Sequence, residues 1–197
     1  MTIQRSSSSA AAVIVLLGVA LFVLDPIPAA QTMGVPEDFT ASAVDMNSGG
    51  TGRIEISVTR WSTPAERETL LAALFKQGSG ELLEKLRDMR PVGRIYSSET
   101  IGYELRFAEQ QPLPDGGRKV VLATDRPMSF REIFNQTRSA DYPFTWIQLN
   151  MRPDGTGQGE LAIRARVFGD RPNRPIEVET FEIQPIKLQQ VTSRKKN

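Results

Sequence analysis

YELRFAEQQPLPDGGRKVVLATD, residues 103–125, decides the fold. On an extended chain Tyr103, Leu105 and Phe107 share one face, and Glu104 and Arg106 take the other. Side chains alternate across a strand, so this pattern reads as a strand with one wet face and one dry face. LPDGGR then supplies the Pro, Asp and Gly residues that a tight turn uses, and RKVVLATD returns as a second strand. The unit is a β-hairpin and therefore antiparallel.

The same grammar extends outward in both directions. Downstream, FTWIQLNM puts Ile147, Leu149 and Met151 together, and RPDGTGQG turns the chain. GELAIRARVF then aligns Leu161, Ile163, Ala165 and Val167 against Arg164 and Arg166, and IEVETFEI and IKLQQV follow. Upstream, GRIYSSE is a strand, and RIEISVTRW alternates strictly, with Ile54, Ile56 and Val58 on one side. Between these two strands the period changes. In STPAERETLLAALFKQG, Thr63 fits a helix N-cap, Pro64 the first helical position and Glu66 the return partner of a capping box. Leu70, Leu71, Leu74 and Phe75 make one apolar stripe, and Gly78 stops the helix. SGELLEKLRDMRPVG gives a second helix from about Gly80 to Met89, capped by Ser79, with Leu82, Leu83 and Leu86 inward. Arg87 and Arg90 lie in its last turn, where cations suit the helix dipole. The expected fold is α+β and β-rich. It is an antiparallel meander of seven or eight strands, a curved sheet or barrel-like, with an αα-hairpin inserted after the first strand. Residues 53–191 carry it as a single globular domain, large enough to bury a core without disulfides.

TDRPMSFREIFNQTRSADYPF, residues 124–144, is too long for a hairpin turn. Ser129 to Glu132 has capping-box spacing, so a helical turn can start there, with Phe130, Ile133 and Phe134 on one face. Two readings of its polar residues compete. In one, they make local salt bridges and turn contacts that hold a long crossover in place. In the other, the crossover is a lid over a small-molecule pocket, with Arg126 or Arg138 gripping a carboxylate bidentately. Arg131, Asp141 and Tyr142 complete the candidate ligand-binding set. The stretch 118–151, with RKVVLATDRPMSFREIF and SADYPFTWIQL, resembles a group of predicted exported bacterial proteins with no assigned activity. The resemblance covers most of 53–191. It implies export and a single domain, and it brings no catalytic residues.

Composition excludes more than it includes. The 197-residue chain is 40% hydrophobic and 24% charged, a globular balance. Its net charge of +1, with acids and bases interleaved, argues against a nucleic-acid partner, which calls for a basic stripe. There is no cysteine, hence no disulfide, thiolate nucleophile or Cys-ligated metal. There is no histidine, hence no Ser-His-Asp triad and no His-ligated metal. Asp154, Thr156 and Glu160 have a calcium-loop rhythm, but they stand where a hairpin turn is required. Ser193 and Lys196 have S-x-x-K spacing at the chain end, outside any pocket-forming helix.

At the N-terminus Arg5 precedes an apolar run from Ala10 to Leu24, 15 residues long, which Asp25 and Pro26 end. This is shorter than the ~18 residues of a membrane-spanning helix. With small residues at Ala29 and Ala30, residues 1–30 read as a signal peptide, cut after Ala29 in preference to Ala30. Retention as an uncleaved anchor is the alternative. Residues 31–52, rich in Gly, Ser and Thr, read as a flexible linker, and 192–197 as a basic tail. The resulting expectation is an exported, periplasmic or extracellular, monomeric binding or structural module of the cell envelope. It lacks a catalytic site, a metal, a cofactor and a membrane span after processing. The rival readings are a carboxylate-based hydrolase, using Glu104 with Glu177 or Glu179, and a protein–protein interaction domain acting through 124–144.

Overall fold

The structure is a computed structural model that describes residues 34–46, 48–97, 102–128, 143–169, 177–180 and 184–196. Its elements, in chain order, are β1 (Glu37–Val44), β2 (Thr51–Val58), α1 (Pro64–Gln77), α2 (Ser79–Asp88), β3 (Gly93–Ser97) and β4 (Tyr103–Leu105), then β5 (Phe107–Pro112), β6 (Arg118–Thr124), β7 (Phe144–Met151), β8 (Thr156–Phe168), β9 (Glu177–Thr180) and β10 (Ile186–Lys195). The strands form one antiparallel sheet in the order β4-β3-β2-β1-β10-β8-β7-β6-β5, with β9 on the far half of β8.

The two ends of this path, β4 and β5, are consecutive in the chain and separated only by Arg106. The sheet therefore curls round until its ends nearly meet, with a bent strand paired to β3 by its first half and to β6 by its second. Counting that bent strand once and leaving β9 aside, eight strands go round the ring. A ring of that size has an interior just wide enough for side chains. Phe39, Ile54, Ile56, Val58, Ile95, Leu105, Leu122, Ile147, Leu149, Leu161 and Leu188 fill it. Turn chemistry closes the hairpins as the sequence predicts. Arg152 N–H donates to the Thr156 carbonyl at 2.7 Å, and Leu113 N–H to the Gly117 carbonyl at 2.9 Å. Gly116 and Gly155 stand at φ 81°, a conformation that strains any side chain.

The helical hairpin forms where expected and lies on the outside of the ring. The Thr63 side chain accepts from Glu66 N–H at 3.2 Å, and the Glu66 carboxylate accepts from Thr63 N–H at 2.8 Å, completing the capping box. Arg60 grips both oxygens of Glu66 at 2.9 and 3.0 Å and donates to the Arg90 carbonyl at 2.7 Å, tying the start of α1 to the end of α2. Leu70, Leu74, Leu82 and Leu86 pack on Phe107, Val121, Phe144, Ala165 and Val167, forming a second core on the outer wall. Gly78, not Ser79, precedes the first turn of α2, and the Ser79 hydroxyl makes no hydrogen bond among the described residues.

Five expectations need correction. Residues 37–44, expected in a flexible linker, form β1 between β2 and β10, with Phe39, Ala41 and Ala43 in the core. The αα-hairpin consequently follows the second strand. Residues 192–195, expected in a tail, extend β10 beside β1, and Lys196 N–H donates to the Pro36 carbonyl at 2.8 Å. Among the described residues the strands number ten, because β1 joins those read from the sequence and the bend at Arg106 divides one of them into β4 and β5. Two strand faces also split. At Arg106 the bend turns Phe107 outward and Ala108 inward, and a bulge between β7 and β8 leaves Leu161 and Ile163 inside while Ala165 and Val167 face the helices. Residues 1–30, expected as a signal peptide, lie outside the described residues. No helix among the described residues is long and apolar enough to cross a membrane.

Candidate functional site

Strand register grades the outer wall from dry to wet. Phe107, Ala123 and Trp146 stand side by side on β5, β6 and β7. Two residues along each strand the row reads Glu109, Val121, Gln148, and two further it reads Gln111, Lys119, Asn150. The helical hairpin covers the first row and overhangs the second. Between helices and wall runs an open groove of about 360 Å³, toward the lower end of small-molecule sites. Leu74, Phe75, Phe107, Val121, Trp146 and Val178 give it an apolar lining.

The charges of the groove are few. Arg67 on α1 pairs with Glu109 at 2.9 Å across the gap. Lys119 lines the groove half-buried and has no carboxylate within ion-pair distance among the described residues. A desolvated apolar lining with one free cation at its wet end can hold a molecule by area and orient it by charge.

A second depression of about 550 Å³ lies at one mouth of the ring, bordered by Gly34, Glu37, Gln110, Arg118, Arg152 and Lys195. Here Arg118 donates bidentately to the buried Glu37 carboxylate and at 2.7 Å to the Gln110 side-chain Oε1, and it lies over the Phe39 ring. Three of its donors are thereby committed to the fold. Beside this mouth, burial raises the Asp38 carboxyl, but bonds from Lys196 and Ser57 and the charges of Lys196 and Arg194 outweigh it, so its pKa is lowered. Lys196 Nζ reaches Asp38 at 2.8 Å, which gives the C-terminal lysine a structural task in place of any Ser-Lys chemistry.

The opposite mouth receives the start of the crossover. Met128 is buried in the ring, and its N–H donates to the Thr145 hydroxyl at 2.8 Å. Thr145 N–H donates to the Thr124 hydroxyl at 3.1 Å, and the Thr145 hydroxyl reaches the Ile163 carbonyl at 3.0 Å, inside the β7–β8 bulge. The Thr124 hydroxyl also donates to the Arg126 carbonyl. Arg126 is exposed, its guanidinium 5.1 Å from the centre of the Tyr103 ring. Asp125 pairs with Arg106 at 3.3 Å. As far as 128, then, the segment is anchored by local contacts. Arg131, Arg138, Asp141 and Tyr142, with Phe130, Ile133 and Phe134, lie outside the described residues.

The carboxylates proposed for hydrolysis are not assembled. Glu104 sits between Arg106 at 2.9 Å and Arg94 at 3.5 Å on β4, while Glu177 and Glu179 are exposed on β9, a strand that β4 does not neighbour. Asp154 accepts from Thr156 N–H at 2.9 Å and from its hydroxyl at 2.7 Å, as a turn residue does, and these bonds lower its pKa. No group of acidic side chains among the described residues could hold a metal ion. The groove escaped the sequence reading because its walls come from α1, α2 and five strands. The available signal was Val121 and Trp146, apolar residues on what should be wet strand positions.

No family model, curated protein or solved structure matches this chain.

Proposed function

We propose that the protein is an exported, non-catalytic binding module of the cell envelope that holds an apolar small molecule in the groove between the helical hairpin and the barrel wall. One observation carries this reading: a half-open, apolar-lined groove of about 360 Å³ with Trp146 and Phe75 half-buried in its lining, beside a ring interior already packed with side chains. The leader-like residues 1–30 and the absence of histidine and cysteine from the chain support the exported and non-catalytic parts. The groove is preferred here to the expected site under the 124–144 crossover, because the described start of that crossover is engaged in anchoring contacts.

The test is titration with a neutral apolar dye, N-phenyl-1-naphthylamine, following dye emission and energy transfer from Trp146. Saturable binding at one site per chain is expected. Val178→Gln, which places an amide in the lining at a half-buried position, should weaken it about tenfold, the worth of one good apolar contact, with the melting temperature held. Absence of saturable binding, or undiminished binding by both Val178→Gln and Leu71→Gln, overturns the reading.

A further inference from the structure

We infer that the groove selects a single-chain amphiphile with an anionic head, and that Lys119 is the residue that recognises the head. The inference rests on the groove being a ligand site. It goes further by assigning orientation and chemical class.

The rows on the wall supply the direction. Ala123, Val121 and Lys119 succeed one another outward on β6, spanning about 13 Å of strand. Over that distance the neighbours change from Phe107 and Trp146 to Gln111 and Asn150. The dry end belongs to the cluster that Leu74 and Leu82 of the helices form with Phe107, Ala123 and Val167 of the wall, against which a hydrocarbon tail loses water. Among the described lining residues Arg67 is the charged one contributed by the helices, and it is committed to Glu109. Those two charges cancel. Among the described residues Lys119 is left as the uncompensated charge of the lining, with Gln111 directly opposite it in register and Gln148 one diagonal step away.

An ammonium with three donors and no acceptor, flanked by two side-chain amides, satisfies a carboxylate and repels a cationic head. A neutral alcohol head gains no charge-assisted bond there. A like-charge head at the same place meets Lys119 in a partly dry setting, where Coulomb repulsion is stronger than in water.

The experiment displaces the bound dye from the full-length protein with dodecanoate, dodecanol and dodecyltrimethylammonium, each kept below its micelle-forming concentration. Dodecanoate should displace at least tenfold more tightly than dodecanol, and dodecyltrimethylammonium more weakly than either. Lys119→Gln should erase the carboxylate preference and leave dodecanol unchanged, while Lys119→Arg should keep the preference. Gln111→Glu, which pairs Lys119 across the strands, should suppress it without touching Lys119. Added salt should narrow the gap between dodecanoate and dodecanol. If all three displace equally, or if Lys119→Gln and Gln111→Glu both retain the preference, head recognition is wrong while the groove stands as an apolar site. If none displaces the dye, the inference falls together with the reading of the groove.

Discussion

Glu37 opens β1 and points into the ring, almost wholly buried, with its carboxylate taken by both arms of Arg118. The partners are 81 residues apart in sequence, and nothing local marks either of them. A charge buried to this degree is tolerated only because it is paired. Glu37→Gln or Arg118→Met alone should each cost about 3 kcal/mol, the low end of the range for a broken buried pair, since Arg118 keeps a fifth of its side chain in water. The double change Glu37→Met with Arg118→Met should recover at least half of that loss, because two apolar side chains leave no stranded charge. Urea unfolding of the three variants measures it; additive losses would mean that the two side chains act independently. Ile54, Ile56 and Val58 are the contrasting case, readable in the sequence because each follows the last by two residues and all three point inward.

At the scale of elements, helix ends were legible and strand faces only in part. A cap is a contract between residues three apart, so Thr63 and Glu66 announce it within one turn. The Arg60 guanidinium bond holds the Glu66 carboxyl below its ordinary 4.5, against burial and with help from Thr63 N–H. A carboxyl lowered on folding contributes stability that is present above its unfolded value and lost as pH falls through the folded one. Wild type and Glu66→Gln should therefore differ fully in urea midpoint at pH 7 and converge as the pH drops below about 4.5. A constant gap across that range would deny the charge its part in the cap. The strands misled at Phe107 and Ala165. One extra residue at a bend or bulge reverses every later side chain, and a period of two carries no mark of where such a residue enters.

On the scale of the whole molecule, the first and last of the described strands are neighbours. β10 lies between β1 and β8, and β1 between β10 and β2, so these two strands complete the ring. A chain cut to residues 53–191, the boundaries that composition implies, lacks β1 and the end of β10. It should show no cooperative thermal transition and no near-ultraviolet circular dichroism, whereas 34–197 should show both. Cooperative melting of 53–191 would mean that the ring does not need its closing strand. Residues 37–44 hid because EDFTASAV alternates with alanine and threonine, whose weak apolarity beside a Ser- and Gly-rich turn resembles a linker.

The sequence by itself determined the antiparallel hairpins, the capped helical pair and the chemistry that the chain lacks. All of these rest on contacts between residues close in the chain or on residue types that are simply missing. Only the tertiary structure decided that the sheet closes on itself, that its inside is filled, and that the helices leave a groove against Phe107, Val121 and Trp146. Closure and grooves are made by elements distant in sequence. Their position depends on single-residue bends and bulges whose cost and gain are settled only when the two cores pack.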